Sequence, residues 1–179
     1  MSDARLHLLI ERLSLVLRED LRAVATRHGL ALAQLEVLHY LSVTNRFSDT
    51  LTGAVDYLGA TKGTVSQSVS ALVRKGLVER HVDALDGRVQ HCRLTAAGHA
   101  VVGESLPAPA LAGAAGADAE SVLAALLARM LAARRGAGFG VCRTCVHHAA
   151  DPAGARCRLL HILLTADDAG RICREHVAA

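Results

Sequence analysis

Residues 57–98 read YLGATKGTVSQSVSALVRKGLVERHVDALDGRVQHCRLTAAG, and this stretch decides the architecture. Thr61 can cap a helix whose apolar stripe is Val65, Val69, Leu72 and Val73, and Gly76 ends it as a left-handed C-terminal residue does. At about 100° per residue, Gly63, Thr64, Gln67, Ser70 and Arg74 fall opposite that stripe. A face of small polar groups with one arginine can enter a groove closely and hydrogen-bond inside it. Beyond Gly76, residues 77–81 and 89–94 read as two short strands around the turn Asp83-Ala84-Leu85-Asp86-Gly87-Arg88. Thr95 then caps a helix that runs to about Ser105.

Upstream, Leu6, Leu9, Ile10, Leu13, Val16, Leu17, Leu21 and Val24 form one stripe of a long amphipathic first helix. His28-Gly29 ends it. Leu32, Leu35, Val37, Leu38 and Leu41 mark a second helix, and a short third runs from about Thr50 to Leu58 before Gly59. Downstream, PAPALAGAAGA at 107–117 has the composition of a flexible joint. The last strong helix, about 118–135, carries Val122, Leu123, Leu126, Leu127, Met130 and Leu131 on a wide apolar face.

Short helix, tight turn, helix with a polar face, hairpin with a basic tip: this order resembles the MarR family of bacterial transcription regulators. The matching marks are Thr61-Lys62-Gly63-Thr64-Val65-Ser66, Arg74-Lys75-Gly76-Leu77-Val78, Asp83-x-x-Asp86-x-Arg88, and Leu94-Thr95-x-x-Gly98. The resemblance implies a mainly α fold with a small β-wing, a winged helix-turn-helix between long N- and C-terminal dimerisation helices. It also implies a homodimer on double-stranded DNA, reading a pseudo-palindromic operator with half-sites about one turn apart. Lys62, Thr64, Ser66, Gln67, Ser70 and Arg74 would then serve the major groove, and Arg88, held by Asp86, the minor groove. Their chemistry agrees, since Gln pairs bidentately with adenine and Ser or Thr serves bases or phosphates. A solvated helix face is the plainer reading of the same polar residues. Ala84 and Gly87 stand where the family commonly has Pro and a second Arg, which weakens the expected wing contact. The organisation expected is an N-terminal dimerisation helix (1–30), the DNA-binding domain (31–105), a linker (106–117), a C-terminal dimerisation helix (118–136) and a cysteine-rich tail (137–179).

Composition sets the outer limits. With 179 residues, 51% hydrophobic and 21% charged, the chain is neither disordered nor large, and a packed core is feasible. That core is aliphatic, because Tyr40, Phe47, Tyr57 and Phe139 are the only aromatic residues. The net charge of +3 is local: Lys62, Arg74, Lys75, Arg80, Arg88 and Arg93 outnumber Glu79, Asp83 and Asp86, while the remainder nearly balances. No signal peptide or membrane span is read, so a cytoplasmic protein is expected. Paired carboxylates, a Ser/His/Asp set and a phosphate-binding glycine loop are not found, so no enzyme is expected. A thiol oxidoreductase built on Cys142-x2-Cys145 would need a βαβ context that this chain lacks.

The last 38 residues hold four of the five cysteines, spaced C-x2-C-x11-C-x15-C at Cys142, Cys145, Cys157 and Cys173. Cys92 stands apart in a wing strand and reads as packing. A C-x2-C turn lets two thiolates meet one metal centre, and two more complete four-coordination. Two sets compete. An iron-sulfur cluster would take all four cysteines, and the neighbouring Arg143, Arg156, Arg158, Arg171 and Arg174 would offset its negative charge. Zinc would take Cys142, Cys145, Cys173 and His176, leaving Cys157 spare. The cluster, which uses every tail cysteine, is the preferred expectation, and it makes the tail a redox, oxygen or iron sensor controlling DNA affinity. The zinc set would leave a structural or sensory site in a regulator answering to a small organic ligand. Reduced, unliganded thiols are the plainest alternative.

Overall fold

The first helix, α1 (Asp3–Arg27), runs as its stripe predicts, and only its C-terminal end is buried, at Val24 and Ala25. The computed structural model describes residues 3–83, 86–114, 116, 118–133, 138–152 and 154–178. Helix α2 (Leu32–Val43) is apolar nearly all round and forms the centre of the molecule, with Leu35, Val37, Leu38 and Tyr40 almost fully buried. A buried aliphatic side chain contributes about 1.5–3 kcal/mol, so this helix carries much of the core. Helix α3 (Leu51–Leu58) starts on the Thr50 side chain, which accepts from the Gly53 N–H, and stops at left-handed Gly59.

Helix α4 (Lys62–Arg74) is capped by Thr61, whose oxygen accepts from the Thr64 N–H. Its buried stripe is Val65, Val69 and Leu72, and it extends to Ser68. The expected fourth member, Val73, is instead 37% exposed, because the packed face is centred toward Ser68 and leaves Val73 on its edge. Gly76 is left-handed at φ 68°. Strands β1 (Val78–Val82) and β2 (Gln90–Leu94) pair antiparallel as the wing, and α5 (Ala96–Gly103) starts on Thr95. The wing-tip residues 84 and 85 lie outside the described set.

The 107–117 stretch departs from a free joint where it is described. Ala108 is buried, Pro109–Leu111 forms a 3-10 turn, and the Ala110 N–H donates to Asp20 on α1 at 2.7 Å. Helix α6 (Ala119–Ala132) buries no residue; Val122, Leu123, Leu127 and Met130 are all exposed, as are Leu8, Leu9, Leu13 and Leu15 of α1. The expected end of that helix at residues 134 and 135 lies outside the described set.

The fold is mainly helical with a small β-wing, as expected, and the tail adds short β-structure of its own. Strand β3 (Gly140–Val141) pairs with β7 (Ile172–Cys173), and β4 (His148–Asp151), β5 (Gly154–Cys157) and β6 (Ile162–Leu164) make a second antiparallel sheet. Helix α7 (Ala166–Gly170) lies between β6 and β7 and is capped by Thr165. These strands are two to four residues long, too short for alternation to show in sequence. Phe139 ties the start of the tail to the core, its ring 5.2 Å from Tyr57 and 6.2 Å from Tyr40.

Candidate DNA-binding surface and cysteine site

Helix α4 presents Lys62, Thr64, Gln67 and Arg74 to solvent, with Ser66 and Ser70 half-buried beside them. Two of these hydroxyls already have intramolecular partners: Thr64 Oγ1 lies 2.9 Å from Thr61 Oγ1, and Ser70 Oγ accepts from Arg80 at 2.9 Å. Arg80, on β1, therefore sits beside the helix face. Its only sequence signal is its share in the local charge excess. Arg88 extends from the wing with its side chain 91% exposed, held by both carboxylate oxygens of Asp86 at 3.0 and 3.1 Å. That pairing holds the Asp86 carboxyl below the usual range.

The wing is fastened at its base by a histidine between two carboxylates. His91 Nδ1 bonds Asp49, in the α2–α3 loop, and its Nε2 lies 3.1 Å from Asp83 in the wing. Burial works to lower the His91 pKa, but the two carboxylates outweigh it and hold the imidazole above its ordinary value. Burial pushes the Asp49 carboxyl up against the pull of His91 and Arg93. The Cys92 N–H donates to the Asp49 carbonyl at 2.6 Å, so loop and wing share backbone as well as side-chain bonds. Cys92 itself is buried, in agreement with a packing role.

In the tail, Cys142, Cys145, Cys157 and Cys173 all line one small apolar cavity, about 20 Å³, together with His147, His148 and Leu164. Cys142 and Cys145 come from one tight turn, closed by the Cys145 N–H donating to the Cys142 carbonyl. The Val177 N–H points at the Cys145 sulfur, 3.4 Å away. Burial, then the neighbouring thiols of Cys173, Cys157 and Cys145, push the Cys142 thiol up to about 11. Among the described residues, no three of His, Cys, Asp or Glu converge closely enough to hold a single metal ion. His176 does not line the cysteine cavity. Its Nε2 is 2.9 Å from Thr144 Oγ1, and it borders a separate space with Leu131 and Phe139. A Cβ on Gly140 would meet that imidazole at 2.5 Å, so glycine is what lets the ring lie there.

Residues 28–89 match the model of the MarR family. A MarR-family transcriptional regulator from Silicibacter pomeroyi is 26% identical, over 71% of this chain and 88% of its own, with a TM-score of 0.58. A point mutant of MepR from S. aureus has a TM-score of 0.51 at 22% identity, covering 74% of this chain and 98% of its own. Another MepR point mutant, bound to an oligodeoxyribonucleotide, has a TM-score of 0.50 at 23% identity, covering 71% and 96%. No curated protein matches the chain. Residues 28–89 form a winged helix-turn-helix similar to that of the MarR family.

The cysteine tail is packed onto this winged helix-turn-helix, at the loop between α2 and α3. The Asn45 N–H donates to the Ile172 carbonyl at 2.9 Å, and Arg171 donates to the Ser42 carbonyl at 2.9 Å. Arg46 bonds the buried Asp168 at 3.1 Å while stacking its guanidinium over Phe47. Ser48 Oγ accepts from the Arg174 N–H at 2.9 Å and donates toward the Cys173 sulfur at 3.8 Å. The next residue, Asp49, is the one that holds the wing histidine. Ser48, Asp49 and His91 carry no sequence signal of function, because their roles come from contacts between segments 42 to 125 residues apart.

Proposed function

We propose that the protein is a homodimeric DNA-binding transcription regulator whose affinity for a pseudo-palindromic operator is set by an iron-sulfur cluster on Cys142, Cys145, Cys157 and Cys173. The observation that carries this reading is the junction at Ser48. One wall of the four-cysteine cavity is bonded to the same loop that holds the wing. All four thiols line one cavity, as four-thiolate ligation of a cluster requires. When bound, such a cluster supplies reversible electron uptake or oxygen lability.

The chain's own residues then do the coupling. Cys173 orients Ser48, Ser48 positions the Asp49 carboxylate, and Asp49 sets the base of the wing through His91. A coupling of about 1–3 kcal/mol, several-fold to a hundredfold in DNA affinity, is the usual scale for such linkage. The route runs within one protomer. A tail acting on the spacing of the recognition helices through α6 would be a longer path, since α6 buries nothing here. The exposed leucines of α1 and α6 are the surfaces for the second copy. The MarR family match and the solved DNA complex of MepR support a regulator rather than an enzyme. Among the described residues, no helix is long and apolar enough to cross a membrane.

Anaerobic purification tests the reading. Brown protein with absorption near about 400 nm, and with iron and sulfide in stoichiometric amounts, supports the cluster. Colourless protein carrying zinc overturns it. Operator affinity that is the same for loaded and cluster-free protein overturns the sensing role.

A further inference from the structure

Between the wing, the start of α3 and the start of α4 lies an open groove of about 450 Å³. Lys62 and Arg88, both expected at DNA from the sequence, border it, along with Thr50 and Gln90. The remaining wall comes from the tail, at Arg174 and Glu175. Arg174 reaches Asp56 of α3 through Nε at 2.7 Å and Glu175 through one terminal nitrogen at 3.0 Å. A guanidinium carries five N–H donors, so these two bonds leave several for another acceptor. Glu175 also lines the cysteine cavity, so the two spaces share it as a partition.

We infer that this groove takes the sugar-phosphate backbone of duplex DNA, and that Arg174 is a phosphate-contacting residue supplied by the tail, with Glu175 opposing the same polyanion. Three cations border the groove, Arg88 paired with Asp86 and Arg174 with Asp56 and Glu175. The N–H donors these pairs leave over, beside Thr50, Thr52 and Gln90, match a polyanion that offers only acceptors, and Phe47, Leu51 and Val89 supply an apolar part of the lining. A compact anion would need a closed pocket, and this groove is open to solvent. The inference rests on the DNA-binding part of the reading above and not on the identity of the cofactor. Because Arg174 follows Cys173 directly, a rearrangement at the cysteines reaches a DNA contact across one peptide unit.

The test is the salt dependence of binding to a labelled duplex of mixed sequence, measured by anisotropy with the full-length, anaerobically purified protein. For Arg174→Gln, affinity falls on every duplex alike, and the slope of log K against log[salt] becomes shallower by about 0.9, one phosphate contact. For Glu175→Gln the affinity rises, an opposite sign that loss of a structural contact would not produce. Arg88→Ala is the reference, with its own loss of slope. Unchanged slope in Arg174→Gln beside a reduced slope in Arg88→Ala overturns the inference and leaves the DNA-binding reading standing. Weaker binding by Glu175→Gln also overturns it. A wild-type protein that binds no duplex at low salt overturns both. The thermal midpoint of each variant separates loss of contact from loss of fold.

Discussion

Removal of the His91 imidazole is the perturbation that most directly tests how the wing is held. In His91→Ala the Asp49 carboxylate, 7% exposed, keeps among the described residues only Arg93 at 3.6 Å, and that guanidinium is 55% exposed. A hydrogen bond to a charged group contributes about 1.5–3 kcal/mol, and leaving a buried carboxylate short of a partner carries a similar desolvation cost. The second bond, to Asp83, counts for less, because that side chain is 32% exposed and water can replace the imidazole. The sum is a loss of about 2–4 kcal/mol. Urea unfolding followed by circular dichroism measures it in His91→Ala, Asp49→Ala and the double variant. The expected coupling energy is about 1.5–3 kcal/mol, with the double variant less destabilised than the two single losses added together. Additivity within about 0.5 kcal/mol would refute the latch. The pH sign is also set. The folded pKa of His91 is above its ordinary 6.5, so the stabilisation is complete below that value and is lost as pH rises through the folded pKa. Asp49, raised by burial, shifts stability in the same direction.

Cys157→Ser separates the two metal sets: it abolishes the visible absorption if four thiolates hold a cluster, and leaves metal content unchanged if zinc sits on Cys142, Cys145, Cys173 and His176. Gly98→Ala should lower the thermal midpoint by several degrees, a loss of about 1–3 kcal/mol from overpacking, because a Cβ there collides with the Leu77 carbonyl; an unchanged midpoint would show that the contact relaxes freely. Leu127→Glu places a charge on the exposed apolar face of α6 and should convert a dimer to a monomer in analytical ultracentrifugation, without loss of helicity. Ser48→Ala removes the hydroxyl between Cys173 and the wing loop, and should reduce the difference in operator affinity between loaded and cluster-free protein while leaving the iron content intact.

The helix-turn-helix and wing were legible from residues 57–98 because their determinants are local. Thr61 and Thr95 cap through bonds to the N–H three residues on, Gly59 and Gly76 take positive φ, and the Asp86–Arg88 pair closes over two residues. The polar face of α4 and the cationic arginine near the wing tip, Arg88, follow from periodicity and position alone. The tail was legible only as a spacing of cysteines. Its strands are too short to show a pattern, and its position on the molecule depends on Phe139 reaching Tyr40 and Tyr57 and on Asp168 reaching Arg46. The stripe on α1 leaves its partner open for a related reason. A helical period marks an apolar face without saying whether the partner is the same chain; here Val24 is buried, Leu6, Ile10, Val16, Leu17 and Leu21 are half-buried, and Leu9 and Leu13 are exposed.

By itself, then, the sequence determined the order of elements through α6, the polar recognition face and the set of four clustered thiols, all properties carried within a turn or two of chain. Tertiary structure alone decided that those thiols face one cavity, that His176 is not among its lining residues, and that the cavity is bonded through Ser48 to the loop anchoring the wing. The physical reason is burial. Asp49, Ser48 and Asp168 are polar side chains taken out of water, each must find its partner inside the fold, and those partners come from segments that no local pattern connects.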